Sequence, residues 1–425
     1  MLPALSFVLG LLAQNAPAQA SPAEPDTAAA RYEVFLWTID QGAAVWERFG
    51  HNALLIRDRT TGEELAWNWG LFDFNSDDFL VRFLRGSMEY SMGPVEPGAL
   101  LASYVASDRT VYSNQVLLSG EEAGALDELV RRNFLPENRS YVYHSFRDNC
   151  STRVRDALDL VTGGVLRETF DGSGVSRSYR WHTRRLVQAT LWIDQGVSFL
   201  LGTRGDLARS DWEAMFVPME MMTLLEGATR SVGPGGTAPF LGLREVLYQG
   251  SRPPTPDSPT ALSAAWVVLG LGLGGGLVAM GRLTRRSRTW GRWALPLAAA
   301  SWGLFSAGLG GVLVMAWFTD HDFIQRNVNL LHLSPLGLLL AVASLGVAVS
   351  GGSGRAYSAA LAVAGIIAAL SLLTALVEAT PLLDQGNGEV LAIALPVNTA
   401  LVWAFWRARA ERASRQPAPS RTSPT

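Results

Sequence analysis

The sequence predicts an α+β domain joined to an all-α bundle of five transmembrane helices. Three observations predict it. Over residues 31–248, short alternating apolar runs are mixed with segments of helical period and separated by Gly and Pro turns. From residue 261 onward come apolar stretches at 261–280, 293–318, 329–350, 359–379 and 390–406, each near the length that crosses a hydrocarbon core, about 20 residues. The composition of the 425-residue chain, 48% hydrophobic and 17% charged with 42 glycines, is too apolar for an ordinary soluble protein and too polar for a bare membrane bundle.

At the amino end, an apolar run over residues 2–13 precedes Ala18-Gln19-Ala20 and a Ser/Pro/Ala stretch. This reads as a signal peptide over residues 1–20. No basic side chain precedes the run, so an uncleaved anchor is the alternative; either one exports the segment after it. The exported domain is expected over 31–248. Residues 32–39, 52–58 and 64–69 read as strands, the last two joined at a Thr61-Gly62 turn. Residues 121–134 have a helical period. Residues 141–146 alternate aromatic and polar side chains as a strand would, and 151–161 read as a helix with Val154, Leu158 and Val161 on one stripe. The Gly- and Pro-rich residues 249–260 form a linker.

Charge sets the orientation of the spans (residues 261–406). The first loop carries Arg282, Arg285, Arg286, Arg288 and Arg292, the third Arg355, and the tail (407–425) Arg407, Arg409, Arg412 and Arg415. The other two loops hold Asp320, Asp322, Asp384 and Glu389 against Arg326 alone. Arginine excess marks the cytoplasmic side. The tail is then cytoplasmic, and with five crossings the first domain lies outside, as the signal-like start also requires.

Several function classes are excluded early. A net charge of -3 lacks the basic excess of a nucleic-acid binder. Every one of the 35 basic residues counted as Lys+Arg is arginine, so lysine Schiff-base chemistry is closed. The single cysteine, Cys150, cannot form an internal disulfide, and no HxH, HExxH or Cys/His cluster suggests a metal; no cofactor is expected.

Cys150 lies where the strand-like 141–146 gives way, past Asp148-Asn149, to the next helix. A helix start favours a thiolate through its free N–H groups and dipole, and those N–H groups, that of Cys150 among them, can hold an oxyanion. A thiol nucleophile needs a base, and His51, at a strand start after Gly50, is the first candidate. His144 is the rival; His182, in Arg180-Trp-His-Thr-Arg-Arg, reads as a surface residue. Asn68 is a candidate to orient His51, although strict pairing about Thr61-Gly62 would set Phe72 opposite, so contact requires a bulge or a looser turn. Asn149 and Arg153 flank the cysteine as candidate substrate contacts. In the outer loop, His321, Asn327 and Asn329, with His332 and Asn398 nearby, are candidates for receiving lipid head groups. The pair Cys150 and His51 points to acyl transfer. A membrane-anchored thiol hydrolase of peptide or lipid ester bonds and a non-catalytic envelope scaffold are the alternatives.

The order of a strand histidine followed by a helix-start cysteine resembles the circularly permuted papain-like fold of the lecithin:retinol acyltransferase group. More closely, Arg48-Phe-Gly-His-Asn-Ala, Trp67-Asn-Trp-Gly-Leu-Phe-Asp-Phe, Phe83-Leu-Arg-Gly, Asp148-Asn-Cys-Ser-Thr-Arg, Trp212-Glu-Ala-Met-Phe-Val-Pro, and Thr319-Asp-His near Asn327-Val-Asn-Leu-Leu resemble the Lnb-type lipoprotein N-acyltransferase family. The resemblance implies a multi-pass protein of the inner membrane with its catalytic domain in the periplasm. It also implies a phospholipid acyl donor and a diacylglyceryl lipoprotein acceptor, with the acyl thioester on Cys150 and His51 as base. Ser151 stands where alanine is also familiar, and the Ala/Arg-rich tail is long; neither departure touches the pair.

Overall fold

The computed structural model describes residues 30–72, 78–174, 177–231, 236–261, 263–286, 290–380, 383 and 385–415. The expected signal peptide, the end of the basic tail, Asp73, Phe74, Arg288 and Asp384 lie outside the described residues.

Strand β1 (Tyr32–Ile39) is apolar on both faces because both are covered. Val34 and Leu36 join one core with Leu54, Ile56, Trp67 and Trp69, while Trp37 and Ile39 join another with Ala53, Leu55 and Ala66. Strand β2 (His51–Asp58) begins on the histidine itself, and β3 (Glu64–Leu71) runs past Trp69. The turn between them is looser than a two-residue hairpin at Thr61-Gly62. The Asp58 N–H donates to the Glu63 carbonyl at 2.8 Å and Gly62 N–H to the Asp58 carbonyl at 2.8 Å, with Gly62 at φ 75°. Asn68 is thereby set opposite Ala53.

After β3 come helix α1 (Phe79–Arg85), strand β4 (Glu89–Val95), helix α2 (Pro97–Ala106), strand β5 (Val111–Val116), helix α3 (Gly120–Asn133), strand β6 (Ser140–Val142) and helix α4 (Cys150–Val161). The last strand of the sheet is β7 (Leu241–Tyr248). All pairings are antiparallel, and the seven strands lie in the order β7-β5-β1-β2-β3-β4-β6. Helices α3 and α4 bury Leu126, Val130, Val154 and Leu158 against one face; α2 places Leu100 on the other. The expected strand over 141–146 is shorter than its alternation suggested. Beyond Val142 the chain turns back on itself through the bridge His144–Asp148, because His144 Nδ1 accepts the Phe146 and Arg147 N–H groups, each at 3.2 Å.

Among the described residues, five helices are long and apolar enough to cross a membrane: Ala264–Arg286, Gly291–Phe318, Asn329–Val349, Gly354–Glu378 and Gly388–Arg412. The second and third approach backbone to backbone where Gly303 and Gly337 face each other; a Cβ on either would lie 2.4 Å or less from the other's carbonyl oxygen. Inside the bundle, His332 Nδ1 lies 3.1 Å from Ser371 Oγ. Asn398 Nδ2 donates to Ser371 Oγ at 2.9 Å and to the His332 carbonyl at 3.1 Å, and Trp302 Nε1 donates to Asn398 Oδ1 at 2.9 Å. His332 and Asn398 are thus committed to one another's helices.

The two outer loops hold the sheet domain. Asp322 accepts from Arg147 Nη2 at 2.5 Å and Arg204 Nη1 at 3.0 Å, and Phe323 enters a cluster of Phe146, Tyr179 and Phe216. Arg184, on the helix Tyr179–Val187, reaches Glu389 at the start of the fifth span at 2.8 Å. On the opposite side of the spans, Arg285 pairs with Glu411, and Arg412 donates to the Gly351 carbonyl. The acidic loops face the domain and the basic ones face away, as the charge pattern requires.

Candidate active site

Gly50 has φ 84°, and a Cβ there would sit 2.7 Å from the Ile39 carbonyl oxygen. Only glycine fits. The close approach is therefore to the end of β1, and it delivers His51 to the first position of β2. Asn68, on β3, is a diagonal neighbour across the ladder, within reach of a long side chain. His51 Nε2 lies 3.0 Å from Asn68 Oδ1. Asn68 Nδ2 points the other way, to the Ala66 carbonyl at 3.4 Å. That fixes Oδ1 as an acceptor toward the ring, so Nε2 carries the hydrogen and Nδ1 is the basic nitrogen.

Helix α4 packs across β2 and β3, and its first residue, Cys150, meets the end of the sheet beside Gly70. Asn149 caps the helix: its Oδ1 accepts the Ser151 and Thr152 N–H groups at 2.9 Å each, and its Nδ2 donates to the carbonyls of Ser145 at 2.9 Å and Phe216 at 3.0 Å. Both amide atoms of this expected substrate contact are spent on holding the helix start. The cap also takes two of the N–H groups expected to serve an oxyanion. Cys150's own N–H remains without a protein acceptor among the described residues.

The Cys150 sulfur and the His51 imidazole stand close enough for each to act on the charge of the other. Burial pushes the thiol up, but the His51 ring and the N–H groups of Asn52 and Ser151 outweigh it and hold Cys150 below the ordinary thiol range. Burial likewise pushes His51 down, while the Cys150 sulfur and the Asn68 amide more than offset this and raise it. Each partner favours the charged form of the other. Cys150 is 9% exposed and His51 half-buried, so the pair sits under a thin cover.

Residues without a place in the sequence-based expectations surround the pair. Burial, together with the nearby Cys150 charge, raises Tyr90, Tyr141 and Tyr143; Tyr90 and Tyr143 stack at 4.2 Å. The alternation of Tyr141 and Tyr143 was a visible signal of an aromatic wall. Asn52 has no comparable signal: its side chain joins Thr38 Oγ1 at 2.9 Å and Ser151 Oγ at 2.8 Å, tying β1, β2 and α4 together.

Other candidates lie elsewhere. His144 faces Asp322 at 3.1 Å. His182 is not a surface residue: it is buried between Trp181 and Phe216, and burial and the Arg185 and Arg177 charges hold it down to about 3. Arg153 pairs with Asp148 and covers the Tyr141 ring at 4.2 Å. Asn327 Nδ2 donates to the Phe199 and Leu200 carbonyls at 2.8 and 3.0 Å. Asn329 donates to the Phe199 carbonyl at 2.9 Å and accepts from Asn387 at 3.0 Å. Both are buried, and they join the spans to the domain rather than lining an open surface. His321 Nε2 lies 2.9 Å from the Phe83 carbonyl.

No curated protein and no solved structure matches the chain. Residues 22–189 match the family model described as the Lnb N-terminal periplasmic domain, a stretch that holds His51, Asn68 and Cys150 and ends before β7. The chain therefore carries an Lnb N-terminal periplasmic domain, followed by five long apolar helices.

Proposed function

We propose that the protein is a membrane-integral cysteine acyltransferase that moves a fatty acyl chain from a phospholipid, through a thioester on Cys150, to the N-terminal amine of lipoproteins. The observation that carries this reading is the chain of contacts from Asn68 through His51 to Cys150 at a capped helix start. We read the arrangement, histidine before cysteine in sequence, as a circularly permuted papain-like site.

In the first half-reaction, His51 Nδ1 takes the Cys150 proton and the sulfur attacks the ester carbonyl of the lipid. The Cys150 N–H, with the Asn52 N–H beside the sulfur, stabilises the oxyanion. The C–O bond breaks, the departing lysophospholipid oxygen takes the proton from His51, and the acyl group stays on sulfur. In the second, the acceptor amine attacks the thioester, His51 removes its proton, and the C–S bond breaks as that proton returns to Cys150. Asn68 holds the imidazole in the required tautomer throughout. The tyrosine wall and the membrane keep water from competing for the thioester.

Mass spectrometry of a lipoprotein N-terminus from cells carrying the native chain or Cys150→Ser tests the reading. Loss of N-acylation with Cys150→Ser is expected. Unchanged acylation removes this cysteine from the reaction, and a chain that releases free fatty acid without acylating an amine is a hydrolase.

A further inference from the structure

Helix α1 is the excursion between β3 and β4, so it hangs from the strand whose end touches Cys150. It is short, yet Leu80, Val81, Phe83 and Leu84 are exposed by 64, 49, 54 and 54%. Apolar side chains this concentrated on a water-facing helix mark an interaction surface. Its carboxyl end is fixed. The Asp320 N–H donates to the Arg85 carbonyl at 2.7 Å, His321 Nε2 lies 2.9 Å from the Phe83 carbonyl, and a Cβ on Gly86 would lie 3.0 Å from the His321 nitrogen.

That anchor stands at a membrane exit. The second span ends at Phe318, with Trp317 and Phe318 exposed by 61 and 84%, as aromatic side chains at a bilayer boundary are. Asp320 is two residues further on, at most about 8 Å along the chain, and the head-group layer on each side is about 5–8 Å deep. The anchor thus holds the carboxyl end of α1 within a few residues of the end of the span. Arg82 is neutralised by Asp78 and Glu89, while Arg85 is exposed and has no acidic partner among the described residues, as suits a residue among lipid phosphates.

We propose that α1 is an interfacial helix that inserts Leu80, Val81, Phe83 and Leu84 into the outer leaflet and leads lipid acyl chains from the bilayer toward Cys150. Insertion stands on geometry alone; the path to Cys150 rests on the acyltransfer reading. Insertion is tested with the full chain in phosphatidylcholine–phosphatidylglycerol vesicles, carrying Leu84→Cys in a Cys150→Ser background and labelled with an environment-sensitive fluorophore. A second variant carries the label at Leu243→Cys, on β7 at the opposite edge of the sheet and 97% exposed. The Leu84 probe should be quenched by lipids spin-labelled near the head group and shielded from iodide, and the Leu243 probe the reverse. A Leu84 probe as open to iodide as that at Leu243 overturns insertion.

The path is tested separately. Leu80→Glu with Leu84→Glu should slow thioester formation on Cys150 from vesicle phospholipid by about tenfold or more, with alkylation of Cys150 by a small water-soluble reagent unchanged. Acylation at the native rate overturns the path. If the native chain forms no thioester, the acyltransfer reading fails with it, and the quenching result still decides insertion.

Discussion

The Cys150 sulfur is subject to two opposed influences, burial against the His51 ring with two N–H groups, and the second wins. The consequence is a pH profile with a definite sign. Alkylation of Cys150 should rise with pH below the ordinary thiol value of about 8.5. The pair persists until His51, whose own value is raised, loses its proton. In His51→Ala the ring's charge is gone while burial remains, so the alkylation profile should move to higher pH. A profile that does not move would mean that the imidazole does not govern the sulfur. Asn68→Ala leaves both charges but frees the ring to rotate, and should lower turnover about 10–100-fold with little change in KM. An effect confined to KM would place Asn68 in substrate binding instead.

At the scale of elements, the site depends on two local devices. One is the Asn149 cap. Asn149→Ala removes the acceptor for two N–H groups and leaves the Ser145 and Phe216 carbonyls without a donor. The expected cost is about 2–4 kcal/mol, read as a lower midpoint of unfolding; a variant as stable as the native chain contradicts the cap's role. The other is Gly50, where Gly50→Ala meets the Ile39 carbonyl in a left-handed backbone and should cost about 1–3 kcal/mol. Much at this scale was legible. Strands over 32–39 and 64–69 and a helix beginning beside Cys150 are dictated by side-chain period alone. Asn68 was named as a candidate to orient His51, but the pattern alone did not fix the contact, because it depends on the turn over residues 59–62, and the Asp58 hydrogen bonds that widen that turn leave no mark on hydrophobic pattern. The strand expected over 141–146 stops at Val142 for a related reason: the His144 side chain competes with the backbone and turns the chain.

At the scale of the whole molecule, the outer loops do something their polar residues did not announce. Asn327 and Asn329 were expected to meet lipid head groups, yet their amides are used on the carbonyls that close the helix Leu191–Leu200. A sequence shows polar residues near a span but not whether a neighbouring domain consumes them. Phe323 is the apolar centre of the same joint, and Phe323→Ala should loosen it, at a packing cost of about 3–5 kcal/mol. Hydrogen exchange should quicken at Gly202 and Asp320, whose N–H groups bond across the joint, and not within β1 to β3. Equal quickening in those strands would show that domain and spans unfold as one. On the proposed reading, the joint would hold the Cys150 site near the membrane from which both lipids come.

The most direct test of the thioester is the mass of the intact chain after incubation in phospholipid vesicles without an acceptor. The expected result is a gain of one fatty acyl group, mapped to Cys150, released by hydroxylamine and absent from Cys150→Ser. A chain that acylates lipoproteins while its cysteine never carries an acyl group would contradict it.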